Sequence, residues 1–339
     1  MIIYQNISLK PYNTFGIDVS AEQFVEVKTV EEVQVLCTTF NLYERKKLIL
    51  GGGSNILLTK NFDGMAIKMN LTGMDIIKED DDHAWVKAMC GELWHDFVQF
   101  CVNKNLGGVE NLSLIPGCVG AAPMQNIGAY GAEIKDTFEE LFAVEIETGK
   151  LVKFTNAECK FGYRESVFKH EAKDKFIIVA VTFKLNKKVQ LNTQYGAIQD
   201  TLLANGIKEP TIKDVSDAVI QIRSTKLPNP KELGNSGSFF KNPEVSANEY
   251  ASKLENFPNM PGYKLENGNV KVPAGWLIEQ CGFKGKRIGN TGAHKDQALV
   301  LVNYGGATGN EIYDLALQIK DKVFETFKIE INPEVNIIS

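Results

Sequence analysis

Ile115 to Gly131 reads I-P-G-C-V-G-A-A-P-M-Q-N-I-G-A-Y-G. Four glycines, three alanines and two prolines stand here with almost no charge. A solvated loop would carry Lys, Glu, Asp or Ser, and a core helix or strand would not tolerate so much Gly and Pro. Residues without side-chain bulk let a backbone approach a ligand closely and offer it bare N–H groups. A turn packed between two elements would share this composition. A second stretch upstream, L-G-G-G-S-N-I-L at Leu50 to Leu57, tips the reading. Two glycine-lined turns in one chain point to an extended cofactor carrying a diphosphate.

Around these turns lies an ordinary globular composition: 339 residues, 44% hydrophobic and 23% charged. That length exceeds what one core usually supports, so two or three domains are expected. A net charge of -5 argues against a nucleic-acid partner. No apolar run reaches the roughly 18 residues of a membrane span, and Met1-Ile2-Ile3-Tyr4 is too short for a signal-peptide core. The six cysteines form no C-x-x-C pair and sit mostly among apolar neighbours, as reduced core cysteines do. Three glycosylation triplets, at Asn6, Asn70 and Asn111, are read as chance without a secretion signal. A cytoplasmic protein is expected.

Local signals run through the chain. Phe24 to Val27 alternates as a short strand. Thr29-Val30-Glu31-Glu32 is a capping box opening a helix with Val33, Leu36, Cys37 and Phe40 on one face. Lys47 to Leu50 is a buried strand entering the first glycine turn. Neither G-x-G-x-x-G nor a Gly-Lys-Ser/Thr phosphate loop is present, so Rossmann and P-loop folds are excluded. Ala66 to Met69 and Trp85 to Ala88 read as strands around the polar tip Glu79–Asp82. Leu93, Phe97, Phe100 and Cys101 make a helical stripe. A hairpin joins Ala143–Ile146 to Leu151–Phe154. Phe176 to Phe183 is a central β-branched strand. Beyond Leu191 polar, loop-rich segments are expected, with a domain boundary between Ile220 and Pro230. The capping box Thr308–Glu311 opens a last helix burying Ile312, Leu315, Ile319, Val323 and Phe327. Ile329 to Val335 reads as an end strand.

The chemistry is narrowed by absences and by a few polar residues in apolar company. Four histidines lack metal spacing, and no G-x-S-x-G elbow exists. Tyr163 and Arg164 follow Phe161-Gly162, where a guanidinium could stack on a ring or grip a carboxylate. Ser238 lies between Gly237 and Phe239-Phe240, and a hydroxyl there would be expensive to bury without a partner. Glu334 follows Pro333 in an apolar segment. An ion pair, a turn hydroxyl and a solvent-facing carboxylate would account for the three individually.

Taken together, these segments resemble the UDP-N-acetylenolpyruvoylglucosamine reductase family, also called UDP-N-acetylmuramate dehydrogenases. The resemblance covers nearly the whole chain: N-T-F-G-I at Asn13–Ile17, G-G-G-S-N at Gly51–Asn55, the central stretch, and C-K-F-G-Y-R-E-S at Cys159–Ser166. It continues through G-S-F-F-K-N-P at Gly237–Pro243, A-G-W-L-I-E-Q at Ala274–Gln280 and P-E-V at Pro333–Val335. The glycine turns are moderately specific and the Gly-Ser-Phe-Phe-Lys-Asn-Pro segment highly so. Tyr195, in its Q-Y-G setting, resembles the longer form of the family, in which a tyrosine loop closes over the substrate.

The resemblance implies an α+β fold of three domains: a PCMH-type FAD-binding fold made of two subdomains, 1–70 and 71–224, and a smaller substrate-binding α+β domain, 225–331. The end strand 332–339 is a candidate to return to the first subdomain. It implies non-covalent FAD, with NADPH as co-substrate, reducing the enolpyruvyl ether of UDP-N-acetylglucosamine to UDP-N-acetylmuramate for peptidoglycan. FAD would be held by Gly51, Gly52, Gly53, Ser54, Asn55, Pro116, Gly117, Gly120, Gln125, Asn126, Gly128, Ala129, Tyr130 and Gly131. Arg164, Ser238 and Glu334 would be catalytic: Arg164 and a protonated Glu334 at the substrate carboxylate, Ser238 giving a proton to the second carbon. Tyr163, Tyr195, Lys226 and Asn242 would bind substrate. No metal is expected, and the protein is expected to be monomeric, with no nucleic-acid or membrane partner. Two alternatives stand beside this reading: an oxidase of the same flavin fold, and a non-catalytic nucleotide-sugar sensor. The sensor would need neither Ser238 nor Glu334.

Overall fold

Phe176–Asn186 is the middle strand of a five-stranded antiparallel sheet in the computed structural model, which describes residues 1–339. On one side it pairs with Phe138–Glu145, which continues into Leu151–Thr155; on the other it pairs with His83–Met89 and then Met74–Glu79. Seven consecutive residues from Ile177 to Phe183 are buried, because both faces of this strand are covered. The expected hairpin forms, with Ala143 opposite Val152. The polar tip at Glu79–Asp82 also forms, but its partner strands are Met74–Glu79 and His83–Met89. Phe62–Met69 belongs to a different sheet, beside Ser20–Val27 and, in parallel, Lys47–Leu50.

The chain divides into two compact units: Met1–Ile7, Ala21–Gly52 and Asp63–Thr225 in the first, Ser8–Ser20, Gly53–Phe62 and Lys226–Ser339 in the second. The first holds both sheets above and five helices: α1 (Val30–Thr39), α2 (Trp94–Asn103), α3 (Asn156–Cys159), α4 (Gly196–Ala204) and α5 (Ile212–Lys226, ending one residue past the division). Thr29 caps α1 by accepting from the Glu32 amide, and the Glu32 carboxylate accepts from the Lys28 amide. In α2 the buried face is Trp94, Phe97, Val98, Cys101 and Val102. Leu93, expected in that stripe, is the residue before the helix and is 53% exposed.

The segment after Leu191, read as loops, contains α4 and α5. Ile212, Val215, Val219 and Ile222 are buried in α5 at helical spacing, and Thr211 with Asp214 closes its first turn. The density of Lys, Asp, Ser and Thr on its outer face concealed the stripe. These two helices form a satellite core with Tyr130 and Leu191 packed against it.

In the second unit, Gly234–Ser238, Val300–Asn303, Thr291–Ala293 and Arg287–Ile288 form a four-stranded sheet. Besides α6 (Ala247–Asn256) and α7 (Ala274–Gln280), this unit contains α8 (Gly309–Phe327), which packs on that sheet. Both halves of the Thr308–Glu311 capping box are present, and Ile312, Leu315, Ile319, Val323 and Phe327 are buried as expected. Ile329–Val335 is irregular rather than a strand, while Asn336–Ile338, within the 332–339 segment expected to return to residues 1–70, pairs in parallel with Ile56–Leu58. Asn13 closes N-T-F-G-I on itself, donating to the carbonyls of Leu9 and Ile17 and accepting from the Ile17 amide. That motif is thereby a structural loop with Phe15 buried edge-on to Phe239.

Candidate active site

The two glycine turns meet in the first unit. A Cβ on Gly52 would sit 3.0 Å from the Gly117 Cα, and one on Gly51 would sit 3.4 Å from the Cys118 Cβ. Lys68 donates to the Gly51 carbonyl at 2.7 Å, and the Trp94 amide donates to the Gly117 carbonyl at 3.0 Å. A side chain at Gly52 would press on the Gly117 main chain. The cradle therefore suits a group that lies along bare main chain, as a dinucleotide diphosphate does.

The central stretch continues through a turn of 3₁₀ helix, Val119–Gln125, to Asn126 at φ +44°. Asn126 is fully buried with its amide committed: Nδ2 donates to Glu133 and to the Gly162 carbonyl, and Oδ1 accepts from the Lys135 amide. These bonds tie the stretch to the loop carrying Tyr163 and Arg164. Gly162 and Glu165 exchange backbone hydrogen bonds, and Arg164 between them is left-handed at φ +57°. Its guanidinium donates to the Gly128 carbonyl at 2.8 Å and lies 5.5 Å from the Tyr163 ring. Arg164 is thus aimed along the Gly128–Gly131 turn.

Tyr195 precedes α4, with its ring edge-on to Tyr130 at 5.3 Å. Sequence reasoning missed the residues that hold this arrangement. Buried Asn111 donates to the carbonyls of both Tyr130 and Asn192, and Asn192 donates to the Gly131 carbonyl. Arg223 on α5 hydrogen-bonds Tyr130. Burial raises the Tyr130 phenol and lowers the Arg223 guanidinium from their ordinary values. Each is a polar residue whose partner lies far along the chain, so no local pattern announces it.

The second unit gathers another set. Ser238 ends Gly234–Ser238 opposite Val300, after a register shift that breaks the ladder between Asn235 and Ser238. Ser238 is exposed, in contrast to the buried hydroxyl that its aromatic neighbours suggested, because Phe239 and Phe240 turn into the core without it. The chain then runs antiparallel to Asn332–Glu334: the Lys241 amide donates to the Asn332 carbonyl, and the Glu334 amide donates to the Phe239 carbonyl at 2.8 Å. Ser238 and Glu334 are brought onto neighbouring segments in this way. Asn55 joins them, its Nδ2 donating to the Glu334 carbonyl at 3.4 Å and its own carbonyl accepting from the Asn336 amide. Asn242 lies further along, its Oδ1 accepting the Ala274 amide at the start of α7. Lys226 is the exposed last residue of α5.

The chain is 57% identical over its full length, and that of its relative, to a UDP-N-acetylenolpyruvoylglucosamine reductase of Flavobacterium johnsoniae. This chain belongs to the UDP-N-acetylenolpyruvoylglucosamine reductase family. A reductase of the same description from Amoebophilus asiaticus is 48% identical, again over the full length of both chains. Residues 229–338 match the C-terminal domain of the reductase family, and residues 21–155 match the FAD binding domain. The latter range spans both glycine turns, and FAD is the cofactor that the cradle fits. Among solved structures, the reductase of Thermus caldophilus aligns over all of both chains with a TM-score of 0.69 at 23% identity, and so shares the fold. The fold is α+β and of the PCMH-type FAD-binding kind.

Three of the histidines have identified polar partners. His83 pairs with Asp80 and His170 with Glu165, both at the surface, while His294 Nδ1 accepts the Asp296 amide. The cysteines are reduced. Burial raises the thiols flanking the cradle, Cys90 to about 12 and Cys118 in the same direction, so neither is a nucleophile at neutral pH. No helix is long and apolar enough to cross a membrane.

Proposed function

We propose that this chain reduces the enolpyruvyl ether of UDP-N-acetylglucosamine, with Ser238, Glu334 and Arg164 acting on the reacting end and Lys226, Tyr195, Tyr163 and Asn242 holding the substrate. The observation that carries this assignment is the backbone pairing of Glu334 with Phe239, which puts Ser238 and Glu334 on neighbouring segments of the second unit. FAD held along Gly51–Asn55 and Pro116–Gly131 would supply hydride transfer between NADPH and the terminal carbon of the enol ether. Ser238 then gives its proton to the second carbon, so hydride and proton together saturate the double bond. Hydride arrival drives negative charge toward the carboxylate; Arg164, already fixed in direction by Gly128 and steadied over Tyr163, offsets it. Asn55 supports the Glu334 segment through the Glu334 carbonyl. Gly51–Asn55 with Pro116–Gly131 hold the cofactor. In domain terms, 1–70 and 71–224 are the flavin-binding subdomains and 225–331 the substrate-binding domain. On this reading the enzyme is a cytoplasmic monomer serving cell-wall biogenesis, and through it cell shape and division.

Two measurements test the reading directly. The purified protein should be yellow and release one intact FAD on denaturation; a colourless protein that takes up no FAD would sink the assignment. Lys226→Ala should raise the Michaelis constant for the sugar nucleotide by about 10- to 200-fold, the worth of one charge-assisted contact to a diphosphate. Flavin reduction by NADPH without the sugar nucleotide should change far less. An unaltered constant would assign Lys226 to the solvent-exposed end of α5 and nothing more.

A further inference from the structure

Leu114, which leads into the Ile115–Gly131 stretch, is left-handed at φ +57°, a conformation that a branched apolar residue rarely adopts. Side chains from two helices take both of its backbone polar groups. Its amide donates to His95 Nδ1 at 3.0 Å, from α2, and its carbonyl accepts from Arg223 Nε at 3.2 Å, from α5. The same helices fix the preceding residue: Ser113 Oγ lies 2.8 Å from Ser216 Oγ, which accepts from Gln99 at 3.1 Å. Three residues beyond Leu114, the Gly117 carbonyl accepts from the Trp94 amide, next to His95 in sequence. Strain that surrounding bonds over-determine marks a segment whose course matters.

We propose that His95 is a positioning residue for the FAD-binding stretch, its neutral imidazole accepting the Leu114 amide and its protonation loosening the cofactor. The inference rests on the assignment of Ile115–Gly131 to FAD. Only an unprotonated Nδ1 can accept, so the bond requires the tautomer with its proton on Nε2. Protonated, the ring would present N–H against N–H. The charged groups acting on His95 are Asp96 from α2 and Arg223 from α5; Tyr130, also near α5, is engaged by Arg223. Burial, the largest influence, draws His95 below the ordinary histidine range, Asp96 opposes this and Arg223 adds to it. A histidine depressed in the folded state contributes stability that is complete above its unfolded pKa. That contribution is lost as pH falls through the unfolded value toward the folded one.

The test compares wild type, His95→Asn and His95→Leu for FAD affinity by flavin fluorescence, and for exchange of the Leu114 amide, between about pH 8 and about pH 5. Asparagine offers a non-titrating acceptor and leucine offers none. Wild type should bind FAD about 5- to 10-fold more weakly at the lower pH, the worth of one hydrogen bond, with faster Leu114 exchange after correction for intrinsic rates. His95→Asn should bind nearly equally at both values, and His95→Leu weakly at both. An acid loss that persists undiminished in His95→Asn would overturn the proposal, as would His95→Leu with wild-type affinity. Should His95→Leu not fold, the comparison of His95→Asn with wild type decides alone. Wild type that takes up no FAD even at the higher pH would overturn the cofactor assignment, and the proposal with it.

Discussion

Ser238→Ala is expected to take up FAD and accept hydride from NADPH at close to the normal rate, yet to be reoxidised by the enolpyruvyl substrate roughly 10²- to 10⁴-fold more slowly, the range for a positioned general acid. A serine hydroxyl is a poor acid at neutral pH and gives up its proton only to a much stronger base. The carbon left after hydride delivery is such a base, whereas NADPH oxidation asks for no proton on the sugar. The substitution is structurally mild: Ser238 is exposed, and its strand is held by backbone bonds and by the buried rings of Phe239 and Phe240. Stopped-flow flavin absorbance follows both half-reactions in one instrument. Normal reoxidation would make Ser238 a structural hydroxyl. Equal collapse of both steps would point to damage at the flavin instead.

Gly53→Ala is expected to be among the most damaging single-methyl additions in the chain. Gly53 is left-handed at φ +61°, and a Cβ there would lie 2.0 Å from the Tyr12 carbonyl oxygen and 2.9 Å from the Asn13 Cα. Both are main-chain atoms of the loop that Asn13 closes, so neither can swing aside. Gly16, in the same unit, is also left-handed at φ +67°, but with nothing within 4 Å of a Cβ. Gly16→Ala should therefore cost about 1–2 kcal/mol, the conformational term alone. Gly53→Ala should exceed about 4 kcal/mol and lose FAD. Chemical denaturation of both variants separates the two terms; equal losses would show that the contact with Tyr12 relaxes freely.

Elements that declare themselves in short stretches were legible in the sequence. The helix after Thr308 carries its cap and its buried spacing within 20 residues, and Phe176–Phe183 is apolar enough to be central whatever surrounds it. What could not be read depends on partners elsewhere. Ile329–Val335 alternates well enough for a strand, yet the ladder forms at Asn336–Ile338, because Ile56–Leu58 is there to receive it. His95 looked like a stray histidine until Leu114 took its Nδ1, 19 positions away. Ser238 stands beside two apolar residues in the sequence, but its exposure depends on which way Phe239 and Phe240 turn. The G-G-G-S-N motif reads as one turn, though it is divided between the units after Gly52.

Pairing Asn336–Ile338 with Ile56–Leu58 has a consequence for synthesis on the ribosome. The second unit draws on Ser8–Ser20 and Gly53–Phe62, made early, and on Lys226–Ser339, made much later. Ile56–Leu58 gains its strand partner only after Asn336–Ile338 has been made, and the Glu334 carbonyl reaches Asn55 at nearly the same moment. For most of translation this early segment waits unpaired, an open edge of the kind that recruits other chains. Glu334 and the Ile56–Leu58 ladder are thus completed together, so a nascent chain stalled before Glu334 lacks both.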